Sequence, residues 1–279
     1  MRCENIVIAD DLHRFRQDAR TLEIAIVNLM PLKEVTEVQL LRLLGNTALQ
    51  VNVTFLHMAS HISKNTRPEH LSAFYHIFSQ VRDRRFDGMI ITGAPVEHLP
   101  FEEVGYWDEL CEIMAWSLGN VSSVMHICWG AQAALYFHYG IPKYPLPEKM
   151  FGIFPHTCVA GFDILRGFDD VFSVPQSRHT ETRRSDFEGR QDLLVLSESE
   201  ESGLYMAVSA DGQRHIFVTG HLEYDPLTLK AEYERDLARG QKISLPVNYF
   251  PGNDDGRAPI VTWRSHGNLL FANWLNYCL

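Results

Sequence analysis

Short apolar runs alternate with amphipathic stretches along the first half of the chain. The run EIAIVNL at residues 23–29 predicts a buried strand. The segment after it predicts a helix that ends at Gly45, because a glycine commonly follows the last turn of a helix. The predicted buried stripe of this helix comprises Val38, Leu41 and Leu44, widened by Leu40 and Leu43.

The same alternation repeats three more times. Further strands are predicted at residues 49–58, 86–95 and 121–127, with helices at 68–81, 106–118 and from Ala131 onward. Four such units in about 120 residues predict an α/β fold with a doubly wound, mostly parallel sheet. We therefore expect a regular βα core over residues 22–140.

Beyond residue 150 the pattern is less regular. Strands are predicted at 171–176, 192–199, 203–209 and 214–221, followed by a helix from about Leu227 to Arg239 and a terminal helix over 265–279. At 279 residues the chain is long enough to form one large core. We predict a single domain over residues 1–279, with residues 141–279 as its second part.

Composition and charge narrow the function classes. The chain is 46% hydrophobic and 22% charged, which is ordinary for a globular protein, and it has no apolar run of 18 residues. Its first 20 residues carry charge throughout and resemble no signal peptide, so a cytoplasmic location is expected. A formal charge of −10 argues against a nucleic-acid surface, which needs clustered Lys and Arg.

Cysteine and histidine spacing indicates neither disulfides nor a metal site. The odd number of cysteines and the absence of C-x-x-C favour free thiols: Cys3, Cys111, Cys128, Cys158 and Cys278. The segment HMASH places His57 and His61 four residues apart, but it lacks the glutamate that a zinc protease needs. We therefore predict no metal.

Cys128 stands where a predicted strand passes into a helix, within VSSVMHICWGAQAALYF. Ligands of open α/β sheets bind at the carboxyl ends of the strands, so this turn faces the expected site. Gly130 is expected to allow a sharp bend, and the amino end of the following helix favours the thiolate. A buried, inert cysteine is the alternative. The turn alone leaves the two interpretations equally favoured.

A candidate base follows in VTGHLEYD. His221 ends a predicted strand and Glu223 lies two residues on, so the two are expected to share one face of an extended segment. Such a carboxylate can orient an imidazole that takes the proton from a thiol. A single histidine at a strand end is more often a surface or hydrogen-bonded residue, but Cys128, His221 and Glu223 together favour a catalytic triad.

Long motifs along nearly the whole chain resemble the homoserine O-acyltransferases of the homoserine transsuccinylase type. They include IAIVNLMPLKEVTEVQLLRLLGNT, IITGAPVEHLPFEEVGYW, HICWGAQAALY, PEKMFG, SRHTE, TGHLEYD, YERD and WRSHGNLLFANWLNYC. The resemblance implies a class I glutamine-amidotransferase-like (flavodoxin-like) fold. It also implies a ping-pong reaction in which an acyl-coenzyme A loads the cysteine and an amino-acid hydroxyl unloads it. His126 stands where amidotransferases have the first glycine of G-x-C-x-G.

The resemblance also assigns roles to individual residues. It implies Cys128 as nucleophile, His221 as base and Glu223 as its partner. The residues that it implies for binding the amino-acid acceptor are Lys149, Ser177 and Arg235. The fork of an arginine suits the acceptor carboxylate. For the oxyanion we expect the backbone N–H of Trp129 and one from the loop after Gly93.

Glu97 occupies the position that the resemblance links to acyl-donor choice, where glutamate goes with acetyl-coenzyme A and glycine with succinyl-coenzyme A. Two like charges about 4 Å apart repel by roughly 4 kcal/mol at an effective dielectric near 20. A charged Glu97 would therefore reject a succinyl carboxylate by about a thousandfold. The alternative is that Glu97 is a solvated loop residue.

We expect an acetyl-coenzyme A-dependent O-acetyltransferase of L-homoserine for methionine biosynthesis, with acetyl-coenzyme A as co-substrate and no cofactor. Three alternatives remain: an L-serine O-acetyltransferase for cysteine biosynthesis, succinyl-coenzyme A as donor, and a glutaminase-type amide hydrolase. Serine and homoserine differ by one methylene, and a binding pocket can use this difference for only about 1 to 3 kcal/mol of selectivity. The expected partners are these small molecules, with no nucleic acid or membrane, and a homodimer as a candidate assembly.

Overall fold

One mixed sheet of ten strands forms the centre of the computed structural model, which describes residues 20–63 and 65–279. The strands are β1 (Leu22–Val27), β2 (Val51–Leu56), β3 (Tyr75–His76), β4 (Phe86–Ile91), β5 (Val121–Ile127), β6 (Tyr144–Cys158), β7 (Val171–Glu181), β8 (Leu193–Ser199), β9 (Gly203–Ser209) and β10 (His215–Val218). Their order is β3-β2-β1-β4-β5-β10-β9-β8-β6-β7. The first six strands of this order are parallel, and the remaining pairings are antiparallel. Cys3 lies outside the described residues.

Helices cover both faces of the sheet. In the described part of the chain the α-helices are α1 (Lys33–Leu44), α2 (Pro68–Phe74), α3 (Trp107–Asn120), α4 (Trp129–Tyr139), α5 (Thr228–Ala238) and α6 (Arg264–Asn273). A π-helical turn, Trp274–Cys278, continues α6. None of the helices formed by the described residues is long and apolar enough to cross a membrane.

Two hydrophobic cores lie on opposite faces of the sheet. Successive side chains of a strand point to opposite faces, and β1 shows this directly. Ile24 and Ile26 belong to one core, whereas Ala25 and Val27 belong to the other. A strand buried on both faces is predominantly apolar and does not alternate with polar residues, which is why the parallel strands were predictable. The predicted doubly wound α/β fold is confirmed.

The predicted buried stripe of α1 is wrong in part. Val38 is 59% exposed and Leu41 is 42% exposed. Leu40, Leu43 and Leu44 are buried as predicted, but polar side chains complete the buried face. Buried Lys33 donates to the carbonyls of Asn28 and Met30, and the Gln39 amide donates to the Thr228 hydroxyl at 3.0 Å. These specific hydrogen bonds allow polar residues to take positions that the hydrophobic pattern assigned to apolar ones.

The helix predicted at 68–81 is shorter in the structure. Helix α2 ends at Phe74, and the chain then forms the two-residue strand β3 beside β2. The Tyr75 hydroxyl donates to Glu37 at 2.6 Å and accepts from the Asn28 amide at 2.9 Å. This tertiary network holds Tyr75 in an extended conformation, in which the helix cannot continue.

Strand β6 was not predicted, although it has 15 residues. Prolines at 145, 147 and 155 interrupt it, and proline is depleted in strands because it lacks an N–H. Pairing with β7 is broken between Pro145 and Met150, and this break accommodates Pro147. Strand β7 also runs five residues beyond its predicted end, to Glu181.

Strand β10 brings the second part of the chain into the middle of the sheet. It lies between β5 and β9, parallel to the former and antiparallel to the latter. It ends at Val218, earlier than the predicted end at His221. Because β5 and β10 are parallel neighbours, the residues that follow them emerge at the same edge, which places His221 beside Cys128.

Candidate active site

Cys128 forms a sharp elbow between β5 and α4. Its φ of 53° and ψ of −118° are strained for a residue with a side chain, and its N–H donates to the Val218 carbonyl at 2.7 Å. The strain therefore lies at Cys128 itself and not at Gly130, where the bend was expected. Gly130 has a different function: an added Cβ would lie 2.6 Å from the Thr92 carbonyl oxygen. Only glycine lets α4 approach the end of β4 this closely.

The loop after β4 lies directly against the nucleophile. A Cβ added at Gly93 would lie 3.2 Å from the Cys128 Cβ and 3.7 Å from its Sγ. Trp129 begins α4, and the N–H groups of a first helical turn have no partner within their own helix. Trp129 and the loop that begins at Gly93, the two segments expected to supply the N–H groups for an oxyanion, therefore lie next to Cys128. Their function stays a prediction.

His221 and Glu223 form a buried pair at the same edge of the sheet. The His221 Nδ1 lies 2.6 Å from Glu223 Oε1. A turn joins the two residues, and not the extended segment that was predicted, because the Tyr224 N–H donates to the His221 carbonyl at 3.3 Å. Burial is the largest influence on the His221 pKa and lowers it, but the charges of Glu223 and then Cys128 outweigh it. The pKa of His221 is raised well above its usual value, which favours an imidazolium.

The predicted acceptor residues line one cleft together with Cys128 and His221. The Lys149 Nζ lies 3.2 Å from Glu232 and 3.1 Å from Asp236, so two carboxylates hold its charge in place. Ser177 lies on β7, and its hydroxyl donates to Glu232 at 2.5 Å. Arg235 is half exposed at the rim of the cleft, where it pairs with Asp236 at 2.7 Å.

Glu97 also lines this cleft and is not a solvated loop residue, since it is only 8% exposed. Its carboxylate accepts the His179 N–H at 3.2 Å, and the Lys143 ammonium donates to its backbone carbonyl. Burial raises the pKa of Glu97 to about 7, against the hydrogen bond from His179 and the positive charges of Arg178 and other groups. The carboxyl therefore changes charge near neutral pH.

Comparison with known proteins places this site in a family. The homoserine O-succinyltransferase family profile matches residues 1–279.

The chain belongs to the homoserine O-succinyltransferase family.

Its relatives include "Homoserine O-acetyltransferase" of Brevibacillus brevis, 60% identical over 275 residues, which cover 98% of this chain and 90% of the relative. A protein of the same name from Geobacillus kaustophilus is 61% identical over 275 residues, covering 98% and 91% of the two chains. The predicted family is confirmed. The family name and the names of these relatives differ in the acyl group.

Solved structures of glutamine amidotransferases share the fold. One from Methylobacillus flagellatus has a TM-score of 0.59 at 12% identity and covers 94% of this chain and 96% of its own. One from Thermotoga maritima has a TM-score of 0.57 at 13% identity, covering 91% and 95%. At such low sequence identity the structural likeness shows the fold alone. It confirms the predicted class I glutamine-amidotransferase-like architecture.

Two cleft residues of this family member were missed in the sequence. Glu232 contacts Lys149, Ser177 and the Tyr224 hydroxyl, the last at 2.9 Å. Tyr224 also stacks on the His221 ring at 4.1 Å between centroids. Glu232 precedes Arg235 by three residues, so both lie on one face of α5, and this spacing was the available signal.

His57 and His61 have different neighbours in the structure. His57 contacts the Met58 carbonyl, whereas the His61 ring packs against Tyr106. Within residues 20–63 and 65–279, no group of three His, Cys, Asp or Glu side chains is arranged to hold a metal ion.

Proposed function

We propose that the protein is an O-acetyltransferase that moves an acetyl group from acetyl-coenzyme A to the side-chain hydroxyl of L-homoserine through an acetyl thioester on Cys128. The product, O-acetyl-L-homoserine, would serve methionine biosynthesis. The observation that carries the proposal is the side-chain hydrogen bond between a strained cysteine elbow, Cys128, and the His221–Glu223 pair, in a cleft lined by Lys149 and Arg235. The names of relatives about 60% identical support the substrates.

In the first half-reaction the Cys128 sulfur attacks the carbonyl carbon of acetyl-coenzyme A. A new carbon–sulfur bond forms, the bond to the coenzyme A sulfur breaks, and the proton held by His221 passes to the departing thiolate. Exchange of one thioester for another is nearly thermoneutral, so the acetyl group keeps its reactivity. Glu223 stabilises the imidazolium that exists before the proton is transferred.

In the second half-reaction His221 removes the proton from the homoserine hydroxyl. The oxygen attacks the thioester carbon, the bond to Cys128 breaks, and the proton returns to the Cys128–His221 pair. Formation of an oxygen ester from a thioester is downhill, which drives the transfer. The N–H groups of Trp129 and of the loop after Gly93 are proposed to bind the oxyanion in both steps.

The acceptor is proposed to bind with its α-carboxylate on Arg235 and Lys149. Both cations are held by Asp236, so their positions are fixed before the acceptor arrives. Competition between homoserine and serine tests the choice of acceptor. We expect kcat/KM to favour homoserine by about tenfold or more, as one buried methylene allows; a preference for serine would contradict the proposal.

The donor is proposed to be acetyl-coenzyme A because buried Glu97 lies in the cleft where the succinyl carboxylate would have to fit. A Glu97→Gly variant removes both the carboxyl group and its bulk. We expect this variant to gain transfer from succinyl-coenzyme A, while Glu102→Gly, a change at a glutamate outside the cleft, gains none. No gain in Glu97→Gly would overturn this account of donor choice.

Intact mass after incubation with acetyl-coenzyme A alone tests the covalent step. The wild type should gain one acetyl group and Cys128→Ala none, whereas Cys158→Ala, a change at an exposed thiol, should behave as the wild type. An adduct that persists in Cys128→Ala would contradict the mechanism. Release of ammonia from glutamine without coenzyme A would instead indicate an amide hydrolase.

A further inference from the structure

Lys143 is a half-buried cation next to the cleft that the proposed chemistry does not use. It lies in the short connection between α4 and β6. Gly140 ends α4 in a left-handed conformation, and the Ile141 N–H donates back to the Leu135 carbonyl at 3.2 Å. Ile141 is itself buried. The backbone that carries Lys143 is therefore held against the helix that begins directly after the nucleophile.

The Lys143 ammonium bridges two carbonyls of the loop over residues 95–100, which we call the Glu97 loop. It donates to the Glu97 carbonyl and, at 2.7 Å, to the Leu99 carbonyl. It also lies 5.1 Å from the centroid of the Phe101 ring. Hydrogen bonds from a charged donor are about twice as strong as those between neutral groups. Lys143 thus ties the Glu97 loop to the end of α4.

A pair of histidines makes a second contact with the Glu97 loop. The His98 ring packs on the ring of His179 on β7, with 4.6 Å between the centroids. The backbone N–H of His179 donates to the Glu97 carboxylate at 3.2 Å. Glu97 is therefore fixed at two points, by Lys143 at its backbone carbonyl and by β7 at its carboxylate.

The Glu97 loop needs such contacts because most of it faces solvent while its glutamate does not. The exposed residues are Pro95, His98, Leu99 and Pro100. Burial disfavours the charge of the Glu97 carboxyl, which is why its pKa is raised to about 7. A free loop would remove this cost by turning the carboxylate out to water. The hydrogen bonds from Lys143 oppose that movement.

We propose that Lys143 is a positioning residue for donor choice, which keeps the Glu97 carboxyl in the cleft by bridging the Glu97 and Leu99 carbonyls. The stack of His98 on His179 assists it from β7. The inference rests on the proposed function, since it takes Glu97 as the group that rejects succinyl-coenzyme A. Because Lys143 acts through Glu97, its effect on donor choice should vanish when Glu97 is replaced.

The ratio of kcat/KM for acetyl-coenzyme A to that for succinyl-coenzyme A, measured at pH 8, tests this role. Lys143→Met keeps an apolar stem and removes the ammonium, and we expect the ratio to fall by about tenfold or more. Lys143→Arg retains a cation with several N–H donors and should keep most of the ratio. A folded Lys143→Met protein with the wild-type ratio would overturn the proposal.

Lys230→Met is the matched control. Lys230 also donates to a loop carbonyl, that of Asp255 at 3.1 Å, and lies 5.9 Å from the centroid of the Phe250 ring. It is not among the residues that line the cleft. We therefore expect Lys230→Met to leave the donor ratio unchanged, and a fall as large as that of Lys143→Met would overturn the proposal.

Two further measurements separate positioning from an effect of charge alone. Lys143→Met should leave the donor ratio of Glu97→Gly unchanged, and a further fall in this background would overturn the proposal. Loss of positioning should also flatten the rise of the ratio between pH 6 and pH 8. A rise that keeps its full height and only moves to higher pH would show that Lys143 acts as a nearby charge, and would overturn the positioning role.

A second variant makes the test independent of whether Lys143→Met folds. His98→Ala truncates an exposed ring and should lower the ratio by about twofold or more, as loss of a ring stack allows. If Lys143→Met does not fold, a wild-type ratio in His98→Ala overturns the proposal. Glu97→Gly without a gain of succinyl transfer refutes the proposed donor choice. A gain in Glu97→Gly together with a wild-type ratio in Lys143→Met refutes this inference alone.

Discussion

Selection of the acyl donor should depend on pH, because the group proposed to reject succinyl-coenzyme A titrates near neutrality. Glu97 is buried, and burial raises its pKa from 4.5 to about 7. Its carboxyl is therefore mostly charged at pH 8 and mostly neutral at pH 6. A succinyl carboxylate is ionised throughout this range, since its pKa lies near 4. Repulsion between the two groups should appear only as the pH rises through 7.

The magnitude follows from the free energy of protonating Glu97. Protonation at a pKa of about 7 requires almost no free energy at pH 6, about 0.4 kcal/mol at pH 7 and about 1.4 kcal/mol at pH 8. Full repulsion of roughly 4 kcal/mol exceeds each of these values, so the carboxyl should take up a proton when succinyl binds. The charge of Glu97 alone then favours acetyl-coenzyme A over succinyl-coenzyme A by about twofold at pH 7 and about tenfold at pH 8. This replaces the thousandfold rejection expected from a permanently charged glutamate.

The assay is the ratio of kcat/KM for acetyl-coenzyme A to that for succinyl-coenzyme A at pH 6, 7 and 8. Effects of pH on the triad are common to both donors and cancel in the ratio. We expect the ratio to rise about tenfold from pH 6 to pH 8 in the wild type. It should be flat in Glu97→Gln, which has nearly the same shape and no charge. A flat profile in the wild type, or the same slope in both proteins, would refute the reasoning.

Three further predictions concern the triad, the elbow and the same carboxyl. Glu223→Gln should lower kcat/KM by about 10² to 10⁴, because the imidazolium loses its charged partner; retained activity in steady-state assays would contradict the triad. Gly130→Ala should destabilise the fold by about 1 to 3 kcal/mol through the clash with the end of β4, whereas Gly119→Ala, at a helical site with open space, should stabilise it by about 0.5 to 1 kcal/mol in urea denaturation. Because the pKa of Glu97 is raised, its negative charge destabilises the fold progressively as the pH rises from 4.5 to 7. Glu97→Gln should therefore raise the free energy of unfolding by about 3 kcal/mol above pH 7 and leave it unchanged at pH 4. Equal effects at both pH values would argue against a buried charge.

The parallel half of the sheet was predictable because its strands are buried on both faces. The run of β1 is apolar except at Glu23, and its last four residues, Ile24 to Val27, are fully buried. Strand β6 was not predictable by the same rule, since its prolines signal turns and its pairing with β7 is interrupted. The extended conformation of these residues is explained by their pairing with β7, the next strand along the chain.

Buried polar residues explain why the stripe of α1 was partly wrong. Lys33 and Gln39 are buried because carbonyls and a hydroxyl from other segments receive their hydrogen bonds. Val38 is exposed although it is apolar. A periodicity argument has no access to such partners, so it assigns the apolar residues to the core.

The chemistry of Cys128, His221 and Glu223 was suggested by residue type and position on the predicted sheet, but their contact required the fold. The strand order brings β10 beside β5, and no local pattern in the sequence predicts this order. Glu232 was missed for a related reason. A glutamate on a charged helix usually faces solvent, and its place in the cleft depends on β6, β7 and α5 meeting there.

The central claim is that Cys128 holds the acetyl group between two substrates, and a single-turnover chase tests it most directly. The protein is loaded with acetyl-coenzyme A, freed of all coenzyme A species, and mixed with L-homoserine. We predict that the acetyl group leaves the protein and appears as one equivalent of O-acetyl-L-homoserine per loaded site. An acetyl-protein that is not discharged by homoserine, or product formation that requires coenzyme A to be present, would contradict the account.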